Sequence, residues 1–161
     1  MAEALWPFSL RFYDDAGTQK ACLALQDQFG GDVNLMLWLL WRASKGEVID
    51  ASGVRQLDDL VKPWRNEVVQ PLRALRRHMK ERDLGPGREA QDGVRERIKA
   101  VELSAEKAQQ AMLDAAEILP EAAASPADAA ALNLQAYGGH LGAEFSDGVT
   151  RVLLARFSAI S

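Results

Sequence analysis

The segment VNLMLWLLWRAS, residues 33–44, constrains this chain more than any other. Val33, Leu35, Met36, Leu37, Trp38, Leu39, Leu40 and Trp41 leave no polar face at helical spacing. A helix of this kind has to be covered on several sides, so it predicts the centre of a bundle. Asp32 stands where an N-cap belongs, and Lys45 and Gly46 supply a favourable charge and a left-handed stop at the other end. A chain of 161 residues can build such a cover without disulfides or metal.

The flanking segments carry helical punctuation. Pro7 suits the first turn of a helix reaching Asp14, and Asp15 caps a second that Gly30 and Gly31 stop, with Cys22, Leu25 and Phe29 inward. Asp50 or Ser52 caps a fourth through Leu57, Leu60 and Val61. Pro63 predicts the start of a fifth, about 63–82, with Trp64, Val68, Leu72, Leu75 and Met79 inward and Pro71 kinking or splitting it. After the Gly85-Pro86-Gly87 break, one long helix of about 88–119 shows a seam of Val94, Ile98, Val101, Ala105, Ala108 and Met112. Alanine at two of its positions favours an antiparallel hairpin with 63–82 over a coiled coil, so a monomer is expected, with a homodimer through the seam as the alternative. Residues 120–131 read as an Ala-rich linker. Ser125-Pro126 with Asp128 then starts a helix through Tyr137, Gly138-Gly139 breaks it, and Ser146 or Asp147 caps a last helix with Val149, Val152, Leu153 and Phe157. No stretch alternates like a strand. The expectation is an all-α, single-domain bundle of six to eight helices over 1–161.

Composition excludes several classes of function. One cysteine, Cys22, and two histidines, His78 and His140, rule out a disulfide framework and the usual structural zinc site. The longest apolar run, Leu35 to Trp41, spans seven residues, where a membrane crossing needs roughly 20. With no basic segment followed by a long apolar run at the start, a cytoplasmic protein is expected. The net charge of −4 is unevenly spread: residues 51–100 hold 12 basic and 8 acidic groups, whereas residues 101–161 hold 3 and 8.

Two constellations are candidate sites. Arg73, Arg76, Arg77 and Lys80 share one helix face and can grip an acidic protein partner or, less favoured in an acidic chain, nucleic acid. The plainer reading is a solvated face paired with Glu81, Asp83, Glu96 or Glu102. Asp27, Asp32 and Asn34 gather at the Gly30-Gly31 turn beside Trp38, Trp41 and Trp64, and can line a small-molecule pocket. The plainer reading makes Asp32 a cap and the tryptophans core, with Trp6 the one expected partly exposed. Glu102 and Glu106 share a face, as do Asp92 and Glu96, but no histidine completes a di-metal pattern. Cys22 lies on an apolar stripe, and no Ser, Cys and His stand at triad spacing. No catalytic residue, metal or cofactor is predicted.

The block LWPFSLRFYDDAGTQKACLALQDQFGGDVNLMLWLLW, with PWRNEVVQPLRALRRHMK and VELSAEKAQQ, resembles a proteobacterial family of hypothetical proteins, domain of unknown function 2390. The resemblance covers about residues 5–113. It implies a bacterial cytosolic protein and brings no catalytic residue or partner with it. The sequence as a whole points to a non-enzymatic interaction or regulatory protein that binds a macromolecule through its basic helix face.

Overall fold

The computed structural model describes residues 3–161. Among them are eight α-helices: α1 (Leu5–Tyr13), α2 (Ala16–Phe29), α3 (Val33–Ala43), α4 (Ala51–Trp64), α5 (Gln70–Glu81), α6 (Arg88–Asp114), α7 (Pro126–Leu141) and α8 (Asp147–Ile160). A π-helical turn, Arg65–Val69, joins α4 to α5. Two short antiparallel strands, β1 (Glu47–Val48) and β2 (Ala122–Ala123), complete the fold. It is an all-α bundle with one long helix.

The apolar helix α3 sits at its centre. Every residue from Asn34 to Trp41 is buried. Leu5, Phe8 and Phe12 of α1, Leu113 of α6, and Ala129, Ala130, Leu134 and Tyr137 of α7 belong to the same core cluster. The caps form where the sequence places them: Asp15 accepts from the Thr18 N–H, Asp50 from Gly53, Ser146 from Val149, and Asp32 from Asn34 and Leu35. Gly30 takes the left-handed conformation, φ 67°, that ends α2.

Several expectations are corrected. Pro63 does not open a helix. It lies inside α4 on the exposed side, where the carbonyl it leaves unpaired faces water. Pro71 stands in the first turn of α5, where the helix expected over 63–82 is interrupted. The π turn just before it, in which the Gln70 N–H reaches the Arg65 carbonyl, widens the backbone where the proline ring would otherwise meet a carbonyl.

The long helix stops at Asp114 and not near Leu119, and in the turn beyond it Arg42 Nη2 donates to the Ile118 carbonyl at 2.9 Å. Only part of its seam faces inward. Val94 and Val101 are about half exposed, 51 % and 54 %, whereas Gln91, Glu102, Ala105, Gln109, Gln110 and Leu113 face inward. The hairpin of α5 and α6 still forms, stapled by Gln91. Its Nε2 donates to the Met79 and Arg82 carbonyls at 2.7 Å each, and its Oε1 accepts from the Leu84 N–H at 2.8 Å.

The Ala-rich stretch is not a linker. Its first part pairs as β2, with the Glu121 N–H donating to the Val48 carbonyl at 2.8 Å, and Ala129 and Ala130 are fully buried in the opening turns of α7. Alanine, weak in buried area, is what lets α7 approach α3. Asn133 ties the two together, donating to the Leu39 and Glu47 carbonyls and accepting from the Ile49 N–H at 2.8 Å. Likewise Gly138 and Gly139 continue α7. A Cβ on Gly138 would stand 2.9 Å from the Ala143 carbonyl oxygen, so glycine is needed there for a close approach rather than a break.

Trp38→Ala is expected to cost ~3–5 kcal/mol in urea denaturation, by cavity formation. Ala130→Leu is expected to cost about 1–3 kcal/mol by overpacking. Unchanged midpoints for both would place the α3–α7 contact outside the core.

Candidate functional site

α1 and the second half of α2 face the α5–α6 hairpin across the first half of α3, and between them lies a cleft of about 500 Å³. Helix geometry sets what each wall presents. On α1, Phe8 and Phe12 turn to the core, which leaves Trp6, Leu10 and Tyr13 on the cleft side. Leu23 of α2, Leu37 of α3 and Leu103 of α6 complete the apolar lining. Leu10, Tyr13, Leu23 and Leu103 all remain substantially exposed. The floor is polar: the Gln110 side chain donates to Ser9 Oγ at 3.0 Å and to Asn34 Oδ1 at 3.1 Å.

The hairpin side carries a charge cluster. Arg76 binds Glu102 through both Nε and Nη2, the latter at 3.1 Å. Arg73 bridges Glu102, at 3.3 Å from Nε, and Glu106, at 2.8 Å from Nη2, and its guanidinium also meets the Gln26 side chain across the cleft. Burial works against the Glu102 charge, but the hydrogen bonds and charges of Arg76 and Arg73 outweigh it and hold its carboxyl below its ordinary 4.5. Glu106 goes the other way. Burial is the larger effect, Arg73 offsets it only in part, and the Glu102 charge adds to it, so its carboxyl titrates above 4.5. Burial also raises the Tyr13 hydroxyl beside them. Two carboxylates of like sequence setting are thus pushed apart, Glu106 by burial and Glu102 by the two arginines it meets.

The predicted basic face is divided by this arrangement. Arg73 and Arg76 are spent on Glu102 and Glu106 inside the cleft wall. Arg77 stays at the lip, with Asp27 at a looser 3.4 Å, and Lys80 is exposed one turn further along α5. Lys99 of α6 joins Arg77 at the lip.

The second constellation does not assemble as a pocket. Asp27 is on the surface, whereas Asp32 is buried and fully engaged. Besides capping α3, it accepts from Arg65 at 3.2 Å and from the Gln109 side chain at 2.5 Å, and its N–H donates to the Tyr137 hydroxyl at 2.6 Å. Arg65 continues to Asp58 at 2.6 Å, and Asp58 to His140 at 2.8 Å. This chain of polar contacts joins α3, α4, α6 and α7 away from the cleft. Of the predicted group only Asn34 lines the cleft.

Trp38 lies in the core under the Arg42 guanidinium, 4.7 Å from its ring centre. Trp41 donates to the Glu3 carbonyl at 2.7 Å and Trp64 to that of Ala105 at 2.9 Å. Trp6, half-buried as expected, is the tryptophan that reaches the cleft. Among the described residues no group of three His, Cys, Asp or Glu can hold a metal. Cys22 is buried, which pushes its thiol up to about 12 and leaves it unreactive.

The sequence reading passed over Leu10, Tyr13, Leu23 and Leu103 as functional residues. The available signal was the half of α1 left over once Leu5, Phe8 and Phe12 are assigned to the core. A family model described as Protein of unknown function (DUF2390) matches residues 4–113. No curated protein and no solved structure matches the chain.

Glu102→Gln strands two half-buried arginines and is expected to cost about 2–3 kcal/mol at pH 7. Glu106→Gln should cost less than about 1 kcal/mol, because its charge is already disfavoured. The sign follows from the shifts. The contribution of Glu102 is present above its ordinary 4.5 and is lost as pH falls through its lowered value, so that variant's deficit shrinks in acid. The ionised Glu106 opposes folding, and acidification through its raised value removes that burden. Urea midpoints at pH 7 and at pH 4 measure both, and the reverse ranking at pH 7 would overturn the assignment.

Proposed function

The chain belongs to the DUF2390 family, whose description assigns no activity, and from the cleft we propose a non-enzymatic, cytoplasmic interaction protein that docks a segment of another protein there. The observation that carries this reading is the set of four apolar side chains, Leu10, Tyr13, Leu23 and Leu103, left exposed at the mouth of a charged cleft. A soluble surface keeps such side chains scattered, and gathered beside cations they suit a partner with apolar anchors and carboxylates. Arg77 and Lys99 at the lip, with Lys80 beyond, meet the carboxylates. Arg73 and Arg76 keep the wall in shape through Glu102 and Glu106. Nucleic acid is the weaker fit, since these two arginines of the predicted four are neutralised within the chain.

The test places a photo-crosslinking amino acid at Leu103, and a control at Leu132 on the exposed side of α7, in the cells that naturally make the protein. A protein adduct is expected at 103 and not at 132, and it should fall several-fold when Arg77→Glu and Lys99→Glu are combined. Equal yields at both positions, or none, would overturn the reading.

A further inference from the structure

Leu119 is 87 % exposed, and no other large apolar side chain among the described residues exceeds 54 %. It stands in the turn between α6 and β2, and that turn is held on both sides. Arg42 binds the Ile118 carbonyl, the Ile118 side chain packs against the core beside Gly53, and the Glu121 N–H pairs with Val48. Pro120 fixes the backbone in between. The leucine is therefore presented as a preformed knob that loses little freedom on binding. Glu117 and Glu121 flank it, both exposed and neither in an ion pair within the described residues.

An apolar knob between two carboxylates is the complement of an apolar cleft with cations at its lip. Resting on the reading of that cleft as a protein-docking site, we infer that its occupant is the 117–121 turn of a second copy of this chain, with Leu119 between Leu10, Leu23 and Leu103 and its flanking glutamates at Arg77 and Lys99. A chain does not fill its own cleft. The turn is anchored through Arg42 at the far end of α3, whereas the cleft opens at Asn34 and Leu37. Knob and cleft occupy different places on one molecule, so the contact is head-to-tail. A five-residue turn buries less than the ~1,200 Å² of a stable complex, so association appears at high concentration.

Sedimentation equilibrium over a hundredfold concentration range tests this. The wild-type mass is expected to rise above 17.7 kDa, while Leu119→Glu, lacking the knob, and Leu103→Glu, lacking the cleft, each stay at one chain with unchanged urea midpoints. Mixed in equal amounts they should double in mass and go no further, since only one knob and one cleft remain functional. A constant wild-type mass, a mixture that stays monomeric, or variants that associate like wild type would each overturn the inference. The last result would assign self-association to the exposed Val94 and Val101 stripe instead. A crosslink from position 103 to a different protein would leave the docking cleft standing and remove only the second copy.

Discussion

The Asp32 carboxylate is the interaction on which the rest of the structure depends. A helix with no polar face can be buried on every side only if its polar needs are met at its ends, and Asp32 meets those at the start of α3. The same two oxygens receive Arg65 from the π turn and Gln109 from α6, and the Asp32 backbone N–H reaches Tyr137 of α7. One buried residue, through its carboxylate and its N–H, thus fixes the rotation of three covering elements about the central helix. Fully compensated buried charges of this kind add little net stability and penalise alternative packings heavily.

The inward face of α6 follows from that arrangement. Glu102, Glu106, Gln109 and Gln110 would be costly to bury alone, yet each meets a partner contributed by another element: Arg76, Arg73, Asp32, and Ser9 with Asn34. The Oε1 of Gln109 is the one buried side-chain oxygen or nitrogen without a partner among the described residues. Polar pairing sets the register of the long helix against the bundle, and its apolar Val94 and Val101 are left outside. The π turn contributes by aiming Arg65 inward.

The cleft is a consequence of the same geometry. The arginine–glutamate cluster ties α5 to α6, and the cleft between that hairpin and α1 is lined by the side of α1 that its core residues do not use. Rigid polar pairs beneath and unpaired apolar groups at the mouth make a surface that gains by being covered. On the opposite end of α3, Leu119 is an apolar group held in the open by its neighbours, and the two features meet the same physical requirement from opposite sides.

Local chemistry in the sequence determined the helices and their caps, because Asp15, Asp32, Asp50 and Ser146 act on backbone groups within three residues. The all-round apolar pattern of residues 33–41 likewise determined the central helix. Tertiary structure decided what depends on partners distant in the chain. A period-based reading follows apolar residues, so it took Val94 and Val101 for the buried seam of α6 and could not weigh Glu102, whose burial needs Arg73 and Arg76 from another helix. It read Gly138 as a break and the alanines up to 131 as a linker, when their small size serves close approach to Ala143 and α3. The basic residues of α5 were legible as a group. Their division into two that hold the wall and two that face solvent was not, because charge pairing depends on which acids folding brings within reach.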